Sequence, residues 1–188
     1  MPDFPDHSIV EKAVAGDALA FRQLVERHQV FVHRVAYRLV GTTSDAEDIT
    51  QEAFIRLWKN LSRYKPEIRM TTWLYKIVTN LCLDFLKSRR RIMAKMTADI
   101  REDNVHIHTS PADQGMVDEE LRLALEEFSS ALSPKQKAVF VLRDLEDVEM
   151  KEIGEILSMA PGQVKSNLYY ARKRMAELIA IRYQTEKR

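Results

Sequence analysis

The sequence predicts an all-α protein: two small helical domains joined by an acidic, flexible linker, the C-terminal one containing a helix-turn-helix. Three observations predict it. Glycine and proline are scarce, five and six among 188 residues. Apolar positions recur at 3.6-residue spacing with few alternating runs, the pattern of amphipathic helices rather than strands. Charge is sorted along the chain. Arg63 to Lys95 holds nine bases against Glu67 and Asp84, Asp99 to Glu127 holds nine acids against Arg101 and Arg122, and Lys165 to Arg188 returns to seven bases against two acids. The net charge of +1 hides these blocks, and two basic bodies separated by an acidic segment suit contact with a polyanion at two places. A composition of 45% hydrophobic and 30% charged residues is that of an ordinary globular protein.

The first element is a short helix over Ser8 to Ala15, stopped near Gly16. A long helix follows, opened by Asp17 and running through ALAFRQLVERHQVFVHRVAYRLV to Gly41, a residue suited to the position just past a helix end. Ser44 and Glu47 have the spacing of a capping box for the helix DAEDITQEAFIRLWKNL. At about 100° per residue, Ile49, Ala53, Phe54, Leu57, Trp58 and Leu61 share a core arc, and Asp45, Asp48 and Glu52 line the opposite edge. SRYKPEIRM breaks the pattern as a loop, and Thr71 or Thr72 can cap the next helix, WLYKIVTNLCLDFLKSRRR. That helix carries Trp73, Leu74, Ile77, Val78, Leu81 and Phe85 on one face and Lys76, Asn80 and Lys87 on the other.

Between Ile92 and about Gly115 the periodicity fades into the acidic linker. The second body starts with DEELRLALEEFSSAL. In SPKQKAVFVLRDL, Ser133 as cap, Pro134 at the first helical position and Gln136 at the box position predict a sharp helix start. A short helix, a turn around Ser158 to Gly162 and a long basic helix complete the helix-turn-helix pattern. In the last helix Val164, Leu168, Ala171, Met175 and Leu178 face a core, leaving Ser166, Tyr169, Tyr170 and Lys173 opposite, flanked by Lys165 and Arg172. Such a face mixes hydrogen bonding, aromatic surface and charge, as a helix in a major groove requires.

The strings DAEDITQEAF and WLYKIVTNLCLD, together with the C-terminal stretch LSPKQKAVFVLRDLEDVEMKEIGEILSMAPGQVKSNLYYARKRM, resemble the extracytoplasmic-function group of bacterial RNA polymerase sigma factors, in the family's order and over almost the whole chain. The resemblance implies a region 2 type domain over 1–93, a linker over 94–117 and a region 4 type domain over 118–188. It implies a dissociable polymerase subunit that directs core RNA polymerase to promoters and assists DNA opening, without catalysis or a cofactor of its own. Asp45, Glu47, Asp48, Gln51 and Glu52 would then meet core polymerase, since an acidic face repels DNA and attracts basic side chains. Arg63, Tyr64, Lys65 and Arg69 in the loop, and Lys76, Asn80 and Lys87 on the following helix, would meet the minus-ten element. A flipped base needs amide or hydroxyl partners and a stacking surface, and an opened strand needs cations. Arg89, Arg90 and Arg91 would hold phosphate. Trp73 offers a stacking ring, but its place on the apolar face favours the core.

For the minus-thirty-five element the candidates are Gln163, Lys165, Ser166, Asn167, Tyr169, Tyr170, Arg172 and Lys173. Gln163, Asn167 and Tyr170 stand where many relatives have a threonine and two arginines, so relatives' promoter sequences do not transfer. Gln163 and Asn167 suit phosphate or adenine edges alike. The linker acids Asp99, Glu102 and Asp103 suit either a soluble spacer or a segment lying in a basic nucleic-acid channel. The family also implies a regulatory anti-sigma factor, often membrane-bound.

Other classes fit less well. The sequence has no Gly-rich phosphate loop or nucleophile motif, and His106 and His108 lack further ligands at zinc spacing. A helix-turn-helix repressor would leave the first basic segment without a use. Met1 to Asp6 has neither the basic end nor the apolar run of a signal peptide, so a cytoplasmic location is expected. Cys82, the only cysteine, lies in an apolar helix pattern and reads as a buried small hydrophobe.

Overall fold

The computed structural model describes residues 6–65, 67–99 and 131–185, and among them every regular element is helical. The elements are α1 (His7–Val14), α2 (Ala18–Val40), α3 (Thr43–Asn60), a 3₁₀ turn (Leu61–Arg63), α4 (Met70–Asp99), α5 (Pro134–Phe140) continuing into a π turn (Val141–Leu145), α6 (Met150–Leu157) and α7 (Pro161–Thr185). The expected opening helix of the second body, Asp118 to Leu132, falls largely outside the described residues. So do Glu102, Asp103, His106 and His108.

Local chemistry explains most boundaries. The Asp17 carboxylate accepts from the Leu19 and Ala20 amides and starts α2, which ends at Gly41 in the left-handed region (φ 86°). The Ser133 hydroxyl accepts from the Gln136 amide and the Gln136 side chain accepts from the Ser133 amide, the reciprocal box expected at α5. Two starts differ from expectation. At α3 the cap is Thr42 rather than Ser44, and the Thr42 hydroxyl donates to Asp45. The α4 helix begins at Met70, ahead of both threonines, because Met70 is buried and the Trp73 amide already bonds Arg69 O. It also runs on to Asp99, past the expected fade at Ile92.

Helices α2, α3 and α4 pack around Leu24, Val32, Leu39, Leu57, Leu74 and Val78, all fully buried, with α1 laid across α2. Asp6 fixes α1 in place by accepting from Arg27 Nη1 (2.6 Å) and lying 3.0 Å from His28 Nε2. Burial pushes the His28 pKa down against the pull of Asp6. Cys82 is buried as expected, and burial drives its thiol up to about 12. Trp58 departs from the predicted arc: it is 44% exposed, its ring set edge-on against Phe21 at 4.6 Å.

The second core joins α5, α6 and α7 through Val139, Leu142, Ile153, Ile156, Val164 and Leu168. Ser158 takes a left-handed conformation (φ 53°) in the turn between α6 and α7. At Gly154, in α6 ahead of the turn, a Cβ would lie 3.0 Å from the Met159 carbonyl, a tight contact that glycine avoids. The two bodies are not merely tethered: Ala138 and Val141 of the α5 segment belong to the first core.

Candidate nucleic-acid interface

The loop between α3 and α4 forms the walls of two clefts. Tyr64 is half-buried, donates its hydroxyl to the Ile68 carbonyl, and lies over Trp73 with ring centroids 5.4 Å apart at 31°. Burial first, and then the Asp6 and Glu67 charges, raise the Tyr64 pKa, so it remains a hydroxyl donor. One cleft of about 290 Å³ is lined by Arg56, Asn60, Arg63, Trp73, Ile77 and Asn80. The other, about 310 Å³, has Arg63, Tyr64, Lys65, Ile68, Thr72, Trp73 and Lys76 on one side and Glu155 and Ile156 of α6 on the other. Trp73 therefore packs against the core and also supplies ring surface to both clefts.

The structure thus brings together Arg63, Tyr64, Lys65, Lys76 and Asn80 of the predicted set. Arg69, Arg90 and Arg91 are exposed but line neither cleft. Lys87 is exposed and lies 3.4 Å from Asp84. Arg89 lies 3.8 Å from Asp45, which joins the basic helix to the acidic one at this edge. Arg56 and Asn60 were missed. Their spacing with Arg63, four and then three residues, is a legible polar stripe, but the acidic string before it dominates the reading. Arg56 donates to Glu52 (2.8 Å), and the Asn60 amide donates to the Arg56 carbonyl.

On α3, Glu47, Asp48 and Gln51 are exposed, and Glu52 is partly so. Asp45 is half-buried and engaged with Thr42 and Arg89. The acidic edge is real, but its first member helps hold the helix start.

The α7 helix presents Tyr169 (63% exposed) and Tyr170 (57%), edge-on to each other at 5.4 Å, with Lys165 and Lys173 exposed beside them. Three polar candidates turn back on their own helix. Gln163 accepts from the Ala160 amide at 3.1 Å, Ser166 donates to the Gly162 carbonyl at 2.9 Å, and Asn167 donates to the Gln163 carbonyl at 2.8 Å. Arg172 is held in a two-pronged pair with Asp144, 2.9 and 2.6 Å, and that hydrogen bonding raises its pKa. Among the described residues no His, Cys, Asp and Glu group of three or more is placed to hold a metal, and no helix is long and apolar enough to cross a membrane.

Comparison with known proteins agrees with this layout. Residues 24–92 match the Sigma-70 region 2 family and residues 122–175 match Sigma-70, region 4. The chain is 36% identical over 159 residues to the ECF RNA polymerase sigma factor SigE of Mycolicibacterium smegmatis, an alignment covering 84% of this chain but 61% of that protein's length. It is 30% identical over 174 residues to the ECF RNA polymerase sigma factor SigM of Mycobacterium tuberculosis, covering 93% of this chain and 84% of the relative. The fold is similar to that of the sigma factor RpoE solved with the anti-sigma factor NepR from Bartonella quintana, with a TM-score of 0.66 at 22% identity, covering 86% of this chain and 97% of that one. It is also similar to CnrH solved with the cytosolic domain of CnrY, with a TM-score of 0.67 at 20% identity, covering 94% and 97%. With both regions matched in order and the cleft and the exposed helix lying within them, the chain belongs to the ECF RNA polymerase sigma factors.

Proposed function

We propose that this sigma factor docks on core RNA polymerase through the exposed edge of α3, captures an opened minus-ten strand in the Trp73 clefts, and reads the minus-thirty-five duplex with α7. The observation that carries the reading is the separation of surfaces by charge and shape. Glu47, Asp48 and Gln51 form an exposed acidic edge, whereas Arg63, Lys65, Lys76 and Asn80 ring concave sites with an aromatic wall. Concave sites with ring surface and amide donors suit an extruded base, and cations around them suit the strand's phosphates. The convex α7 face with Lys165, Tyr169 and Lys173 suits a major groove. An anti-sigma factor acting on the chain in the cytoplasm belongs to the same reading, supported by family membership.

The test is transcription in vitro from a library of random promoters, with core polymerase of the source bacterium, with and without the protein. Initiation that depends on the protein, from sequences sharing two spaced motifs, is the expected result. No initiation, with the protein instead held on duplex DNA as a dimer, would favour a repressor. Glu47→Lys combined with Asp48→Lys should weaken polymerase binding at least tenfold while leaving duplex binding and stability unchanged within about 0.5 kcal/mol. Equal loss of both binding activities would count against α3 as the docking edge.

A further inference from the structure

The first two turns of α7 carry two side-chain amides whose orientation the helix itself fixes. Gln163 Oε1 accepts from the Ala160 amide (3.1 Å), and Asn167 Nδ2 donates to the Gln163 carbonyl (2.8 Å). Neither amide can turn end for end, because the first partner is a backbone donor and the second a backbone acceptor. Gln163 is left with its Nε2 donor and Asn167 with its Oδ1 acceptor, and neither atom has a partner among the described residues. Four residues apart, the two side chains share one face of the helix. Tyr170, three residues past Asn167 and 57% exposed, adds ring surface beside them.

The cations of α7 stand elsewhere. Arg172 is held by Asp144, and Arg174 lies 3.1 Å from Glu177. Lys165 is turned about 160° from Asn167, and Lys173 lies ~15 Å along the axis from Gln163. Guanine is read best by a two-pronged arginine or lysine, and none stands beside the amide pair. In the major groove guanine shows two acceptors, cytosine one donor, thymine one acceptor and a methyl, and adenine an acceptor (N7) next to a donor (N6). Among single bases only adenine answers both Gln163 Nε2 and Asn167 Oδ1, whereas guanine would set its O6 against the Asn167 oxygen. A G·C pair offers an acceptor and a donor across O6 and N4, but no methyl for the Tyr170 ring, which an A·T pair supplies. We propose that Gln163 and Asn167 are specificity-determining residues that select an adenine in the minus-thirty-five element, with a thymine methyl against Tyr170. This selection rests on α7 meeting duplex, the reading given above, and adds which base the helix takes.

The test selects random duplexes on the full chain and on its holoenzyme with core polymerase of the source bacterium, and then measures transcription from the selected sequences. One position of the upstream motif should hold adenine, and replacing that A·T pair by G·C should weaken binding about tenfold. Two base analogues then address the two atoms separately. 7-Deazaadenine lacks N7 and should weaken the wild type about fivefold but not Gln163→Ala. 2-Aminopurine lacks the 6-amino group and should weaken the wild type about as much but not Asn167→Ala. Circular dichroism checks that both variants keep their helicity, and the wild-type response to the analogues does not depend on either variant. A motif with guanine at that position, a motif with no preferred base, or wild-type binding indifferent to either analogue would overturn the proposal. Adenine-bearing duplexes that bind but support no transcription would overturn the promoter reading and leave adenine selection standing. Transcription that depends on the protein but shows no adenine preference would do the reverse.

Discussion

The two surfaces assigned to DNA are built in opposite ways. The α3–α4 surface is concave, with Trp73 and Tyr64 as a rigid wall and cations around the rim. The α7 surface is convex, and its Ser166 and Asn167 side chains are already bonded to the backbone of their own helix. The difference matches two tasks. A base leaving an opened duplex needs a preformed hole, whose ordering is complete before the base arrives. A groove-binding helix needs side chains that keep an atom to spare for a base edge or can leave a weak local hydrogen bond for one, and on an exposed helix the exchange costs little. The first surface should therefore fail through its shape, the second only through the loss of individual contacts.

The largest expected effect tests shape. Trp73→Ala removes the wall common to both clefts and the Tyr64 contact, and should abolish initiation while lowering stability by about 2 kcal/mol, less than for a fully buried Trp. Trp73→Phe should retain most of both. Urea unfolding and transcription measured together check this. Full initiation by W73A would mean that the clefts are incidental to DNA opening.

A second effect comes from Lys137, which donates to the Leu39 carbonyl at 2.6 Å where α5 meets α2. Burial pushes the Lys137 pKa down to about 8 from 10.5, partly opposed by Cys82. The packed form therefore binds fewer protons than the unfolded chain between about pH 8 and 10.5. Stability is lowest below that window and rises with pH across it, by roughly 3 kcal/mol for the full shift. Cys82 acts in the opposite sense: its raised pKa gives a contribution that is full below about pH 9 and is lost as pH climbs toward 12. The clean window is pH 7.5 to 9, where the wild type should gain stability with pH and Lys137→Met should not. A flat wild-type profile would mean that the lysine is not buried against Leu39 in solution.

The third test returns to the convex surface. Tyr169→Ala with Lys173→Ala should reduce use of promoters that depend on the upstream element about tenfold, equivalent to ~1.4 kcal/mol. Both side chains are exposed, so stability should change by no more than about 0.5 kcal/mol. Unchanged promoter preference would remove α7 from recognition.

What was legible in the sequence was mainly what neighbours in sequence decide. The Asp17 cap, the Ser133 and Gln136 box, the Gly41 stop and the stripe from Val164 to Met175 are set within a turn or two, and the structure contains each of them. The Trp73 side chain was half legible, because helical spacing gives the face but not whether that face ends in core or in a cleft. Glu146, which accepts from Arg34, Arg38 and the Tyr75 hydroxyl, was not legible. Its partners lie 71 to 112 residues away, and its aim depends on a π turn in which the Glu146 amide reaches back to the Val141 carbonyl. No local pattern announces such a turn. Thr42 displaced Ser44 as cap for a related reason: the buried Ala46 fixes the helix phase, and the cap follows from it.

Arg172 carries the smallest prediction and the sharpest division between the two kinds of reading. By position it belongs to the basic face of α7, and a charge count assigns it to DNA. Its guanidinium instead meets Asp144 through two parallel hydrogen bonds, joining α7 to the π turn that delivers Glu146. If the pair is structural, Arg172→Ala should lower stability by about 0.5–1 kcal/mol, as exposed two-pronged pairs do, and leave the relative use of different promoters unchanged. If Arg172 leaves Asp144 for phosphate, the variant should weaken binding to all duplexes alike and reduce the salt slope of binding by about one. A titration of duplex binding against salt distinguishes the two outcomes: an unaltered slope keeps Arg172 with Asp144, and a shallower one moves it to the DNA.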